Sequence, residues 1–299
     1  MNRKLSGSTI LLLTVPPLLW AGNAVVGRLV RGAVPPMTLN LLRWSLALLI
    51  LLPLGRRAFA ASSGLAAHWR RFSLLGLLGI GLYNALQYLA LQTSSPINVT
   101  LLASGMPVWM LLVGHLFFGV RIRRAQAIGA AVSISGVLLV LCRGDWSLLA
   151  ALHLVAGDLY MILATIAWSF YSWLLTEPKD PPALRADWAA FLLAQVMYGV
   201  LWSGALAGAE WAIAARHIDW SWPLAAALLY VAAGPAVLAF RCWGAGVGRA
   251  GPSVGAFFAN LMPLFTAILS AGVLGELPQA YHLLAFALIV GGIVLSIRR

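Results

Sequence analysis

The chain has 299 residues, 62% of them hydrophobic and only 9% charged, which is too little polar surface to cover a water-facing globule. Its apolar residues must face lipid instead. The net charge of +12 does not point to nucleic acid, because the basic residues sit in short clusters between long apolar runs, with no basic stripe interleaved with exposed aromatics.

Taken in chain order, the apolar runs predict spanning helices near 9–30, 37–55, 72–92, 96–118, 125–142, 153–175, 187–208, 223–245, 252–274 and 280–297. Each is close to the roughly 20 residues that a bilayer requires, and none alternates as a barrel strand would. Arg3-Lys4 and the run behind it have the look of a signal peptide. The run from Thr9 to Val30 is longer than a signal core, and no convincing small-residue cleavage site follows, so it reads as a retained first helix. Breakers and charges fill the connections, as in Pro35-Pro36 and Glu177-Pro178-Lys179-Asp180. The expected class is therefore all-α: a polytopic integral membrane protein whose residues 1–299 form a single membrane domain.

With ten spans both termini lie on one side. Placing them in the cytoplasm puts 14 basic residues in inner segments, among them Arg56, Arg57, Arg70, Arg71, Arg121, Arg123, Arg124, Lys179, Arg185 and Arg249, and 4 in outer ones, Arg28, Arg31, Arg143 and Arg216. That asymmetry follows the positive-inside rule and supports the count. It predicts a multi-pass protein of the cell's inner (plasma) membrane with cytoplasmic N- and C-termini.

A shift of 156 residues lays spans four and five onto nine and ten without a gap: Pro96 on Pro252, Met106-Pro107 on Met262-Pro263, Gly119 on Gly275 and Gly136 on Gly292. The earlier spans match less well, and Trp20 and Trp168 align only at another offset. Five is odd, so a second copy enters from the opposite face. Residues 1–146 and 147–299 are expected to form two inverted five-helix repeats, an arrangement typical of transporters that a channel or a membrane-embedded enzyme can share.

The candidate site comes from polar and aromatic residues inside spans. Asn84, Gln87 and Tyr88 have the i, i+3, i+4 spacing of one helix face, with Tyr83 beside them. Their amide and hydroxyl groups suit a zwitterion or polar amine; the alternative is that they bond neighbouring helices. Trp20 and Asn23 share a face of the first span, and Trp168 and Tyr171 one of the sixth. Trp109 follows Pro107, and Asn260 precedes Pro263. Such rings would bind apolar side chains or hold a cation. Trp146, Trp188, Trp211, Trp220 and Trp222 lie near span ends and read as interfacial anchors. Pro107 and Pro263 each remove a mid-span backbone bond, which makes them candidate hinges with freed carbonyls. Arg43 and Arg241 are the costliest intramembrane residues; for Arg43 a structural role is preferred over attraction of a substrate carboxylate. His115 stands alone and reads as a packing residue.

Cys142 and Cys242 form no metal-spaced or redox pair and are expected to be buried. Gly246-Val247-Gly248-Arg249-Ala250-Gly251 matches a dinucleotide fingerprint, but no strand precedes it, so it reads as a flexible connection. Asn98-Val99-Thr100 matches a glycosylation acceptor at the start of a span. No nucleophile–His–acid set is recognisable, so no enzyme is expected, and neither a cofactor nor a metal is called for. No acid lies deep in a span; Asp158 is nearest, which argues for facilitated transport or exchange over strict proton coupling.

Trp20-Ala21-Gly22-Asn23, Arg43-Trp44, Tyr83-Asn84-Ala85-Leu86-Gln87-Tyr88, then Pro263, Gly275-Glu276 and Gly292 occur in an order that resembles the drug/metabolite transporter superfamily, and within it the EamA-type ten-helix exporters. The aromatic-rich spans are most similar to its YddG-like branch of amino acid exporters. The resemblance implies a central cavity lined by helices 1, 3, 4, 6, 8 and 9. It also exposes a departure: Val120 stands where the family usually has Glu, whereas Glu276 is kept. The resulting expectation is a secondary transporter that exports amino acids, especially aromatic or apolar ones, and related small metabolites. Its partners would be that substrate and the lipid bilayer, with no nucleic acid, and the reading allows a monomer. The alternative substrates are drugs or quaternary ammonium cations.

Overall fold

The computed structural model describes residues 5–30, 32–94, 96–142, 144–150, 155–213, 217–274 and 279–297. Gly275, Glu276 and the charged residues Arg3, Lys4, Arg31, Arg143, Arg216, Arg298 and Arg299 lie outside them. Among the described residues the protein is helical with no strand. Helices occupy all ten expected stretches: α1 (Gly7–Leu29), α2 (Pro36–Leu54), α3 (Trp69–Thr93), α4 in two halves (Pro96–Ser104 and Met106–Phe118), α5 (Arg124–Leu141), α6 (Ala156–Leu174), α7 (Trp188–Ile213), α8 (Trp222–Ala250), α9 in two halves (Pro252–Ala259 and Met262–Leu274) and α10 (Ala280–Ile297). Seven stretches in the described set, those of α2, α3, α5, α7, α8, α9 and α10, are long and apolar enough to cross a membrane, and Met106–Phe118 is a shorter apolar helix. The chain is a multi-pass membrane protein.

Side chains are sorted as lipid demands. Leu116, Leu201 and Leu283 lie on the outside, whereas Ser133, Thr165, Ser169, Ser172 and Ser203 are buried. Lipid removes most of the hydrophobic drive between helices, so close backbone contact and interhelical hydrogen bonds must hold the bundle. The α5–α10 pair shows this. A Cβ on Gly129 would stand 2.8 Å from the Gly292 carbonyl oxygen, and one on Gly136 would stand 2.9 Å from that of Ala285. The contact is reciprocal under the 156-residue shift, which carries 136 to 292 and 129 to 285.

The backbone repeats where the side chains do not. A π-helical turn interrupts α3 at Leu77–Leu82 and α8 at Ala232–Leu238; adding 156 to 77 and 82 gives 233 and 238. Such turns gather at functional sites because they free backbone groups. Asn40 Nδ2 donates to the Ile80 carbonyl and Trp20 Nε1 to the Pro235 carbonyl, both at 3.2 Å.

The two prolines need a correction. Pro107 and Pro263 fall in the first turns of Met106–Phe118 and Met262–Leu274, where an N–H would lack a helical partner anyway. They free no mid-helix carbonyl. The interruption lies just before them, at Gly105 (φ −69°, ψ −3°) and Asn260 (φ −68°, ψ −5°). The glycine-rich stretch after 245 is also not a loose connection: α8 runs to Ala250, and only Gly251, at φ 88°, turns the chain into α9.

The acids sit at helix ends. The Asp158 carboxylate accepts from Val155 N at 2.8 Å and from the Ser94 hydroxyl, so it caps α6 and ties it to the end of α3. Glu210 accepts from Met37 N (3.1 Å) and Thr38 N (3.0 Å), placing negative charge at the positive end of α2. Where α3 begins and α6 ends, Arg71 pairs with Asp180 and Glu177 and donates to the Leu174 carbonyl. Partial burial works against the Glu177 charge, but hydrogen bonds from Lys179 and Arg71 hold its carboxyl below the ordinary value. Arg71 is therefore a cross-link as well as surface charge. His115 is exposed and bonds the Val120 carbonyl at 3.1 Å, so it is not a packing residue. Both cysteines are buried and free, and Trp146, Trp188, Trp211, Trp220 and Trp222 are exposed near helix ends.

Candidate functional site

Four helices bring their aromatic side chains to one place. Trp168 of α6 is the hub, 2% exposed. Its ring lies 5.3 Å from Trp20 of α1, 5.1 Å from Tyr83 of α3, 5.0 Å from Tyr171 on its own helix, and 5.4 Å and 5.5 Å from Phe240 and Trp243 of α8. Most of these pairs are tilted or edge-on, the arrangement that ring quadrupoles favour. The π turns set this geometry, since Tyr83 follows directly on the one in α3 and Phe240 closely follows the one in α8. Gly79 lets the Tyr171 ring nest on α3; a Cβ there would come within 2.7 Å of it.

The cluster has one charged edge. Trp44 of α2 packs on Phe240 at 4.8 Å, and the Arg43 guanidinium lies over the Trp44 ring at 5.1 Å. Arg43 Nη1 donates to Asn84 Oδ1 at 3.4 Å, and the Tyr83 and Tyr88 hydroxyls are its electrostatic neighbours. Beside the cluster a cavity of about 320 Å³ is lined by Tyr171, Phe240, Gln195, Trp188, Arg185 and Arg241 among others. Tyr171 donates to Gln195 Oε1 at 3.0 Å on its wall, and Arg241 lies over Trp188 at 4.1 Å.

The residues singled out in the sequence thus separate into groups. Trp20, Tyr83, Trp168 and Tyr171 meet in the ring cluster. Asn84 and Tyr88 stand at Arg43 on its edge. Asn23 and Gln87 are half-buried on α1 and α3, with no side-chain hydrogen bond among the described residues. Trp109 is half-buried in α4 and has no ring contact in the described set. Asn260 donates to Ser133 Oγ at 2.9 Å and so joins the α9 break to α5, away from the rings.

Phe240 and Trp243 were not foreseen. The 156-residue shift puts Asn84 on Phe240 and Gln87 on Trp243, so that one helix face is polar in the first half and aromatic in the second. That correspondence was the available signal. It was hidden because no residue identity marks it.

Residues 7–142 and again 155–298 match the profile of the EamA-like transporter family. The chain belongs to this family. Its relatives include an "Uncharacterized transporter" of Archaeoglobus fulgidus, 28% identical over 299 residues that span 98% of each chain. Another is the "Aromatic amino acid exporter YddG" of Ancylobacter novellus, 24% identical and covering 92% of each. A "Probable terminal-alkyne amino-acid exporter" of Streptantibioticus cattleyicolor is 26% identical over 68% of this chain and 64% of its own. A solved crystal structure superposes with a TM-score of 0.76 at 21% identity, covering 97% of this chain and 96% of the other; that likeness bears on the fold alone. As an EamA-like protein the chain is a transporter by family, with small-molecule cargo and a lipid surround.

Proposed function

We propose that this EamA-like protein exports amino acids, aromatic and apolar ones first, by alternating access past the ring cluster at Trp168 and the cavity beside it. The observation that carries the reading is the convergence of Trp20, Tyr83, Trp168, Tyr171, Phe240 and Trp243 from four helices beside a polar, cationic edge. Rings accept an apolar side chain, and the edge offers donors to a polar head. The names of two relatives agree with this substrate class. Drugs and quaternary cations are the second reading, since rings attract cations. The buried Arg43 beside the rings disfavours it, because like charges in a low-dielectric site repel strongly.

The halves 1–146 and 147–299 act as inverted repeats in this reading. The reciprocal α5–α10 contact, the paired π turns and the paired breaks in α4 and α9 all support that symmetry. The protein would lie in the inner membrane with cytoplasmic termini. Asp158 caps a helix, so no described acid is placed for a proton relay, and facilitated diffusion or exchange is the expected mode.

The test is competition in proteoliposomes. Labelled phenylalanine uptake should be blocked by excess tryptophan or leucine and not by tetraethylammonium, with or without a proton gradient. Blockage by the cation alone would refute the substrate class.

The breaks at Gly105 and Asn260 would be the flexing points, with Pro107 and Pro263 keeping the half-helices from merging. Pro107→Ala and Pro263→Ala are expected to slow turnover several-fold while phenylalanine still quenches tryptophan fluorescence. Unchanged rates in both variants would remove the hinge role.

A further inference from the structure

We propose that Arg43 is the anchor for the substrate's carboxylate. The proposal rests on the amino-acid reading above and names the group that recognises the acid.

Arg43 is 2% exposed. An ionised group taken out of water needs a counter-charge or a full set of hydrogen bonds, and among the described residues the Arg43 side chain has no acid partner and an incomplete set of hydrogen bonds. It hydrogen-bonds the Asn84 amide oxygen and the Tyr88 hydroxyl and lies near the Tyr83 hydroxyl and the Trp44 ring, none of which is an acid. Its Nε has no partner. The seven described acids are engaged elsewhere. Asp158 and Glu210 cap helices, Glu177 and Asp180 hold Arg71, Asp187 pairs with Arg57, Asp145 bonds Ser147 and Asp219 pairs with His217.

Among the described residues, four buried side-chain atoms lack a partner: Arg43 Nε, Trp44 Nε1, Trp168 Nε1 and Asn40 Oδ1. Three of the four are N–H donors, and they belong to residues linked through Phe240 and Tyr83. The Asn40 amide already spends its nitrogen on Ile80 and Ser203 across α3 and α7. One positive charge without an acid partner and three unsatisfied donors in this buried region lack an anionic acceptor. A carboxylate supplies it, and the planar guanidinium fork matches that group's two oxygens. The side chain of an aromatic amino acid would then lie against Trp168, Trp20 and Trp243. A purely structural Arg43 would instead call for a carbonyl or carboxylate partner at Nε, and none is found among the described residues.

The experiment compares L-phenylalanine with L-phenylalaninamide, which lacks only the carboxylate, as competitors of labelled phenylalanine uptake in proteoliposomes. The wild type should prefer the acid by about tenfold or more, the discrimination expected for a charged hydrogen bond. Arg43→Gln should bring the two within about twofold, and Arg43→Lys should keep part of the preference. Asn84→Asp guards against a variant that fails to fold: it supplies the missing counter-charge internally, so it should raise the melting temperature and erase the preference. Equal competition in the wild type, or a preference that survives in Asn84→Asp, overturns the proposal and leaves amino acid export standing. If the wild type carries no amino acid, the export reading falls instead. The anchor is then read from tryptophan fluorescence with 3-phenylpropanoate, and a carboxylate that does not bind sinks it as well.

Discussion

Gly292→Leu is expected to abolish recovery of folded protein, whereas Gly291→Leu one position away leaves it intact. A Cβ at Gly292 would lie 2.6 Å from the Gly129 carbonyl oxygen and 2.7 Å from Ser133 Cβ. Both are fixed by α5, and neither is the end of a flexible side chain. The remaining leucine atoms must force α5 and α10 apart along their whole crossing. Overpacking of a core costs about 1–3 kcal/mol and more when backbone is in the way. Here the displaced Ser133 also holds Asn260, so the strain reaches the α9 break. A Cβ at Gly291 meets nothing within 4 Å. Size-exclusion chromatography in mild detergent should show aggregate for Gly292→Leu and a single folded peak for Gly291→Leu. Equal elution of the two would mean that the close approach does not hold the bundle.

Trp168→Ala is expected to have the largest effect on transport. The indole touches five other rings, and removing a core Trp costs roughly 3–5 kcal/mol in a packed interior. The void falls where α1, α3, α6 and α8 meet, so these helices lose their common wall. Phenylalanine uptake should fall by at least about a hundredfold, the equivalent of 2.8 kcal/mol, with a lowered melting temperature. Trp168→Phe should recover much of the stability, because the buried Trp168 Nε1 has no hydrogen-bond partner. It should recover less of the uptake if that N–H meets the substrate. Full uptake by Trp168→Ala, measured in proteoliposomes at matched protein content, would remove Trp168 from the site.

The fold was legible because lipid imposes a simple rule on composition: long apolar runs with charges between them can only be spans. The positions of Pro107 and Pro263 marked the paired breaks, although their mechanism was misread. Proline at a helix start looks the same in sequence as proline at a kink. The site was legible in part. Trp20, Trp168 and Tyr171 declared themselves by helical spacing and Tyr83 by its place beside the Asn84 face, and they do meet. Trp109 and Asn260 have the same residue types and depths, yet the structure does not place them at the rings. Whether a polar residue faces a chamber or a neighbouring helix depends on helix rotation, which sequence spacing does not set. Phe240 and Trp243 escaped because an aromatic face in a chain with 13 Trp and 11 Phe carries little contrast. The lone charge of Arg43 was visible, but the absence of a described acid beside it required coordinates.

The central claim, an amino acid carrier that alternates between two openings, is tested most directly by counterflow. Proteoliposomes holding the wild-type protein are loaded with unlabelled phenylalanine and diluted into a trace of labelled phenylalanine, with no ion gradient. The account predicts a transient overshoot of internal label above the external level, because each return of the carrier brings label inward while unlabelled substrate leaves. Uptake that only rises to equilibrium without overshoot would point to a channel, and no uptake at all without a proton gradient would contradict the facilitated mechanism.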